Sequence, residues 1–176
     1  MILYDDVIKL RAIDEEDALD LMNMINDPEI ENSVVGYSFP VSLAQQKKWI
    51  SNLNNDSTVR YAIDAQEKFV GLVSVSNLDL KNRTGNLNIK LLKNARGKGY
   101  AGRAVKLLIA YCFEELNLNC LYANVIERNK DSKKLWETLK FNLDGVFRQR
   151  VYKNGEYHNI VSYSYLREEY NERDWQ

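Results

Sequence analysis

Cysteine and histidine are both scarce in this sequence. The chain has two cysteines, Cys112 and Cys120, and a single histidine, His158. Two cysteines cannot build the multi-disulfide framework of small secreted domains, and both lie in apolar stretches that predict buried thiols. One histidine argues against a histidine-based metal site. We therefore expect a chain that folds without a disulfide and holds no metal.

Long apolar runs and an excess of one charge are also lacking. No segment approaches the ~20 apolar residues that cross a bilayer, and the acidic N-terminus has no apolar run of signal-peptide length. These features predict a cytoplasmic protein with no membrane partner. The net charge is −1, from 24 basic and 25 acidic side chains. That balance argues against nucleic-acid binding, which needs a basic surface, but it is compatible with a local basic pocket for phosphates.

The apolar patterns predict one α/β domain over residues 1–176, with residues 167–176 as a loose C-terminal end. The predicted order is strand, two helices, three strands, helix, strand, helix and two strands. Residues 28–40 are expected to form a loop, and the turn 153–156, which contains Asn154-Gly155, is expected to join the last two strands as a hairpin. The predicted strands are 7–13, 59–65, 69–78, 86–92, 121–126, 141–152 and 157–166, and the predicted helices are 14–26, 42–53, 99–116 and 131–140.

A glycine-containing turn stands between a predicted strand and the longest predicted helix. Three of the chain's eight glycines are Gly97, Gly99 and Gly102. Glycine lets a bulky anion approach the backbone, the first amides of a helix lack internal partners, and the helix dipole adds partial positive charge there. Arg96, Lys98 and Arg103 would add full charges. The turn therefore predicts a pyrophosphate site, with a plain helix start as the alternative.

Two motifs carry a resemblance to a known family. The turn Arg96-Gly97-Lys98-Gly99-Tyr100-Ala101 is similar to the Q/R-x-x-G-x-G/A signature of the GNAT superfamily of N-acetyltransferases. The segment from Asn129 to Phe141 resembles a stretch of the branch that contains ribosomal-protein N-terminal, spermidine and amino-sugar acetyltransferases. The resemblance implies the GNAT fold. That fold is a mixed, mostly antiparallel, twisted sheet of about seven strands with about four helices, in which the fourth and fifth strands splay apart.

The resemblance also implies a cofactor and its contacts. Acetyl-CoA would be the acetyl donor, with its pyrophosphate on the amides of the turn and its pantetheine arm along the preceding strand. Asn129 would contact the arm, and Ser132 would either contact the cofactor or serve as a helix N-cap. The residues that the resemblance places at the cofactor are Leu91, Leu92, Arg96, Gly97, Lys98, Gly99, Tyr100, Ala101, Gly102, Asn129 and Ser132.

The sequence departs from the family pattern at two places. Trp136 stands where many relatives carry a tyrosine that protonates the departing thiolate, and an indole N–H is not a usable acid. Lys140 stands where the family usually has glycine, which predicts a different exit from the helix.

The sequence offers three candidates for the general base that would deprotonate the amine. The strand before the turn carries Asn86 and Asn88 where the family often has a glutamate. Glu127 is the first candidate, Glu31 with the nearby Glu29 the second, and His158 the third. Each could instead be an ordinary surface residue.

The acceptor and the assembly stay undetermined at this point. A polyamine, an amino sugar and a protein N-terminus are all compatible with the sequence, as is a homodimer formed through the long final strands. The alternative to an enzyme is a non-catalytic GNAT-fold protein that binds acyl-CoA as a sensor or scaffold.

Overall fold

The structure, a computed structural model, describes residues 1–170 and contains one eight-stranded sheet with five α-helices over that range. The strands are β1 (Leu3–Tyr4), β2 (Ile8–Arg11), β3 (Val59–Ala65), β4 (Lys68–Asp79), β5 (Thr84–Leu91), β6 (Cys120–Ile126), β7 (Asn142–Lys153) and β8 (Glu156–Leu166). The helices are α1 (Ala18–Asn26), α2 (Pro28–Ser33), α3 (Leu43–Ser51), α4 (Tyr100–Glu114) and α5 (Lys130–Thr138).

The sheet is mixed and mostly antiparallel, as the sequence predicts. Its strand order is β1-β2-β3-β4-β5-β6-β8-β7, and only the neighbours β5 and β6 run parallel. The element order agrees with the prediction apart from two additions, the short strand β1 and the helix α2. Helix α2 corrects the expected loop: Asp27 accepts a hydrogen bond from the Glu29 N–H and Pro28 occupies the first helical position, where its missing N–H costs nothing.

The main core lies between α4 and the sheet. Val105, Leu108, Ile109 and Phe113 of α4 are fully buried, and Leu87 of β5 belongs to the same cluster. Cys112 is buried there, as expected, while Cys120 is only partly buried. This packing fixes the N-terminus of α4 beside the end of β5, which is where the predicted cofactor turn lies.

The first residues of the expected loose end are ordered by contacts with α4. Arg167–Glu169 form a 3₁₀ turn, the Arg167 guanidinium donates to the Phe113 carbonyl, and the Tyr170 ring lies 5.2 Å from the Phe113 ring. The rest of that prediction, residues 171–176, lies outside the described residues. Within residues 1–170, no helix combines the length and apolarity needed to cross a membrane.

Helix α5 ends with the backbone geometry typical of a C-terminal glycine, although Lys140 occupies that position. The N–H groups of Lys140 and Phe141 donate to the carbonyls of Glu137 and Trp136, at 3.0 Å each, which are the two bonds of a Schellman motif. Lys140 takes the required left-handed conformation, with φ 63°. The prediction of a different helix exit is therefore wrong, and the lysine retains the exit at the cost of backbone strain.

Replacing Lys140 by glycine is expected to stabilise the fold. A residue with a Cβ costs about 1–2 kcal/mol in the left-handed region, and the greater freedom of glycine in the unfolded chain offsets part of that gain. We expect Lys140→Gly to raise the free energy of unfolding by about 1 kcal/mol in urea titrations. Lys134→Gly, inside the same helix, should lower it by about 1 kcal/mol. Equal destabilisation by both variants would contradict the strain at Lys140.

Candidate active site

A slot opens between β5 and β6. The two strands pair only over Thr84–Asn86 and Cys120–Tyr122, and they diverge beyond those residues, which confirms the predicted splay. The Leu92 N–H donates to the Val70 carbonyl on the β4 side at 2.9 Å. Because backbone groups alternate in direction along a strand, the N–H of Leu91 points the other way, into the slot. Of the two predicted contacts for the cofactor arm, Leu91 is thus placed to bind and Leu92 is already used in the sheet.

The turn between β5 and α4 presents a row of backbone donors. A 3₁₀ turn, Lys93–Ala95, follows β5, and Gly97 and Gly99 then adopt left-handed conformations with φ 75° and 81°. The first helical bond of α4 runs from the Arg103 N–H to the Gly99 carbonyl at 3.3 Å. None of the six N–H groups of residues 97–102 donates to an acceptor within residues 1–170.

The space around these donors is also open. A Cβ added at Gly97, Gly99 or Gly102 would meet no atom within 4 Å. The positive φ angles explain glycine at the first two positions. Neither φ nor packing within the chain explains Gly102, which weakens α4 by about 1 kcal/mol relative to alanine. A ligand that approaches the backbone closely would account for glycine there, and the open, donor-rich turn fits a pyrophosphate.

The charged side chains around the turn are partly neutralised. The Arg96 guanidinium contacts the Glu29 carboxylate of α2, and the Lys93 ammonium lies 2.9 Å from the same carboxylate. Hydrogen bonds from Lys93 and Arg96 lower the pKa of Glu29, which makes it a poor base. Arg103 pairs with Asp5 at 2.9 Å and Asp6 at 2.7 Å, so its charge, which was predicted to add to the turn, is already neutralised.

Asn129 caps α5 and ties it to α2. Its Oδ1 accepts from the Ser132 N–H at 3.0 Å, and its Nδ2 donates to the Ser33 carbonyl at 3.0 Å. The N-cap is therefore Asn129, and Ser132 lies in the first turn, which corrects the alternative of Ser132 as the cap. That Asn129 or Ser132 contacts the cofactor stays a prediction, and for Asn129 it would require exchanging one of these two bonds.

Two of the three predicted bases meet at a buried lysine. The Lys153 ammonium lies 2.6 Å from the Glu31 carboxylate and also donates to the carbonyls of Glu31 and Gly36 at 2.7 Å each. The His158 Nε2 lies 3.3 Å from the Lys153 carbonyl. The Lys153 side chain is only 5% exposed, although its place in the Asn-Gly hairpin predicts a surface turn. Glu31 thus serves as the counter-charge of Lys153.

Glu127 stands apart from that cluster. It follows β6 directly, its N–H donates to the Asn159 carbonyl at 3.0 Å, and its Oε2 accepts from the Asn159 Nδ2 at 2.9 Å. Its carboxylate is exposed and makes no ion pair with any residue between 1 and 170. Trp136, where many relatives have the tyrosine acid, is 2% exposed and packs on Phe141 with ring centres 4.9 Å apart.

The sequence named Asn86 and Asn88 only as replacements of a family glutamate. In the structure they belong to a polar face beside the slot, together with Lys90 of β5 and Tyr122 and Asn124 of β6. The Oδ1 atoms of Asn86 and Asn124 are buried and accept no hydrogen bond from the described part of the chain. Burial lowers the pKa of Lys90. The alternation of polar and apolar residues in β5 was enough to predict that Asn86, Asn88 and Lys90 share a face. That Tyr122 and Asn124 lie on the same face could not be predicted, because it depends on how β5 and β6 pair.

Removing the buried ammonium of Lys153 is expected to destabilise the protein. Lys153→Met would leave two carbonyls and a carboxylate without their shared donor. We expect a loss of about 2–4 kcal/mol in urea unfolding. Glu31→Gln retains an acceptor oxygen for the lysine and should cost less. A loss below about 0.5 kcal/mol for Lys153→Met, the size of a typical surface change, would contradict its burial.

Comparisons with known proteins agree with this geometry. A family model described as an acetyltransferase (GNAT) domain matches residues 8–142. The uncharacterized N-acetyltransferase p20 of Bacillus licheniformis is 30% identical over 174 residues, covering 96% of this chain and 97% of its own. The putative ribosomal N-acetyltransferase YdaF of Bacillus subtilis is 36% identical over 100 residues, covering 57% of this chain and 55% of the relative. The crystal structure of spermidine N-acetyltransferase from Vibrio cholerae in complex with CoA and spermine has a TM-score of 0.86 at 22% identity, covering 94% of this chain and 98% of that one.

Proposed function

We propose that this chain, which belongs to the GNAT acetyltransferase family and uses acetyl-CoA as acetyl donor, acetylates a primary amine of a small molecule or of a protein N-terminus. The observation that carries the proposal is the row of six backbone donors at residues 97–102, none of which is bonded within the described chain. Such donors at a helix N-terminus are the groups that bind a pyrophosphate. The slot beside Leu91 leads from that turn to the polar face, where an amine can reach a thioester.

The reaction is a direct transfer in which an acceptor that starts as an ammonium loses two protons, one to the base and on to solvent before attack, and one that ends on the thiolate. The amine nitrogen forms a bond to the thioester carbonyl carbon, the carbon–sulfur bond breaks, and the proton lost by the amine is balanced by the one that the thiolate gains. Amines have a pKa near ~10, so the reacting amine must first lose a proton at neutral pH. A thiol has a pKa near ~8.5 and leaves without a dedicated acid. The reaction therefore does not need the tyrosine acid of many relatives, whose position is occupied here by the buried Trp136.

Of the glutamates named as candidate bases, Glu127 is the one without an ion pair among residues 1–170. Glu31 is held by Lys153, and the Glu29 carboxylate is held by Lys93 and Arg96. Glu127 keeps one carboxylate oxygen that forms no hydrogen bond within residues 1–170, and it stands at the end of β6, which borders the slot. We propose that it takes the proton through a water molecule.

An acceptor screen at fixed acetyl-CoA tests the function. The protein would be incubated with a polyamine, amino sugars, amino acids and short peptides with free N-termini, and released thiol would be measured. The proposal expects thiol release with at least one class. Tight CoA binding without thiol release from any amine would overturn the enzymatic proposal and favour a non-catalytic sensor.

A further inference from the structure

Side chains of β5 and β6 point alternately to the two faces of the sheet, and this alternation shows from which face an acceptor can reach the slot. Leu87, Ile89 and Leu91 point to the core beneath α4. Asn86, Asn88 and Lys90 therefore point to the opposite face. Because α4 and its core close one face of the slot, an amine must approach the thioester from the polar face.

The polar face presents two amide oxygens that lack partners. The Oδ1 atoms of Asn86 and Asn124 come from the two strands that border the slot, and both are buried without a donor among residues 1–170. Asn86 pairs with Tyr122 at the last register position before the strands diverge, and Asn124 is the next residue of β6 on that face. Buried polar atoms are nearly always satisfied, so these oxygens point to an amine or hydroxyl donor of a ligand.

One lysine on this face lacks a partner within the described residues. Lys90 lies on this face by the alternation of β5, and it makes no hydrogen bond or ion pair within residues 1–170. Glu31 already lies 2.6 Å from Lys153. Glu31 is therefore already paired with Lys153, and Lys90 has no counter-charge of its own within residues 1–170. A polycation would bring further positive charge to Lys90, whereas a carboxylate or phosphate would pair with it.

We propose, resting on the function argued above, that the acceptor is a polar amine that carries an anionic group. Its amine or hydroxyl groups bind the Oδ1 atoms of Asn86 and Asn124, and its carboxylate or phosphate binds Lys90. Lys90 is accordingly a specificity-determining residue that selects against polyamines.

Matched acceptors test the proposal through thiol release at saturating acetyl-CoA. The pairs are glucosamine with glucosamine 6-phosphate and glycinamide with glycine, and spermidine is the cationic probe. In the wild-type protein we expect kcat/KM to be at least about tenfold higher for the anionic member of at least one pair, which corresponds to about 1.4 kcal/mol. We expect kcat/KM to be lowest for spermidine.

Lys90→Met should bring the ratio of kcat/KM between the two members of that pair near one, and Lys90→Glu should raise the relative rate with spermidine. Lys81→Met, at an exposed turn, is the matched control and should keep the wild-type ratio.

Three outcomes would overturn the inference. They are equal rates for both members of each pair, a preference for spermidine in the wild type, and a preference for the anionic member that survives in Lys90→Met. A loss of CoA affinity in Lys90→Met would assign the lysine to the cofactor instead. If no acceptor releases thiol, the function proposed above fails separately. Calorimetric binding of glucosamine 6-phosphate to the CoA-saturated protein, lost in Lys90→Met, would then still support the anion site, and no binding would refute it.

Discussion

Gly99→Asp is expected to weaken acetyl-CoA binding by about 100-fold or more, equivalent to about 2.7 kcal/mol. Gly99 has φ 81° and is the N-cap of α4, and a Cβ at this position would enter open space beside the turn. The aspartate would place a negative charge where we expect the pyrophosphate, and its carboxylate would compete for the same N–H groups. Isothermal titration calorimetry with CoA would measure the loss.

Two variants separate charge from backbone strain. Gly99→Asn has nearly the same shape as the aspartate without its charge and tolerates the left-handed region, so it should lose less affinity. Gly155→Asp introduces an aspartate at φ 83° in the β7–β8 hairpin, where a Cβ also meets nothing within 4 Å. It should retain CoA affinity. Wild-type affinity in Gly99→Asp would remove the turn from the cofactor site.

Glu127→Gln is expected to lower kcat by about 10²–10⁴-fold, the usual contribution of a general base. The glutamine keeps an oxygen for the Asn159 amide but cannot accept a proton. The KM for acetyl-CoA should not change, because Glu127 lies beyond β6 and outside the turn that holds the pyrophosphate. Steady-state thiol release with the best acceptor of the screen would measure both constants.

The pH profile distinguishes a base from a merely structural group. Without a base, the rate should follow the free-amine fraction and rise about tenfold per pH unit below the amine pKa of ~10, while the wild type rises less steeply. Glu16→Gln changes an exposed carboxylate elsewhere and should match the wild type. A Glu127→Gln enzyme with near-normal kcat and an unchanged profile would exclude Glu127 as the base.

The elements that the sequence predicts well are those governed by local patterns. The glycine-containing turn could be placed because strand alternation ends at Leu92 and a helical pattern starts at Gly99. The splay could be predicted from the family resemblance. Helix α2 was missed because six residues are too short for a helical pattern, although Asp27 and Pro28 are start signals.

The parts that could not be predicted depend on contacts between distant residues. Lys153 is followed by Asn154-Gly155, which indicates an exposed turn, and nothing local shows that its ammonium reaches Glu31, 122 residues earlier in the chain. Because of this ion pair, Glu31 neutralises Lys153 instead of being a free carboxylate. Arg103 likewise meets Asp5, 98 residues away, and so does not add its charge to the turn. The roles of Glu31 and Arg103 are therefore set by ion pairs with residues far away in the sequence, which local patterns do not reveal.

The central claim is that the backbone amides of residues 97–102 hold the cofactor's pyrophosphate, and an NMR titration tests it most directly. With ¹⁵N-labelled protein and increasing CoA, we expect the amide signals of residues 97–102 to shift and their hydrogen exchange to slow, because each free donor gains an acceptor. Signals of this segment that stay unchanged at saturating CoA, while amides elsewhere respond, would contradict the account.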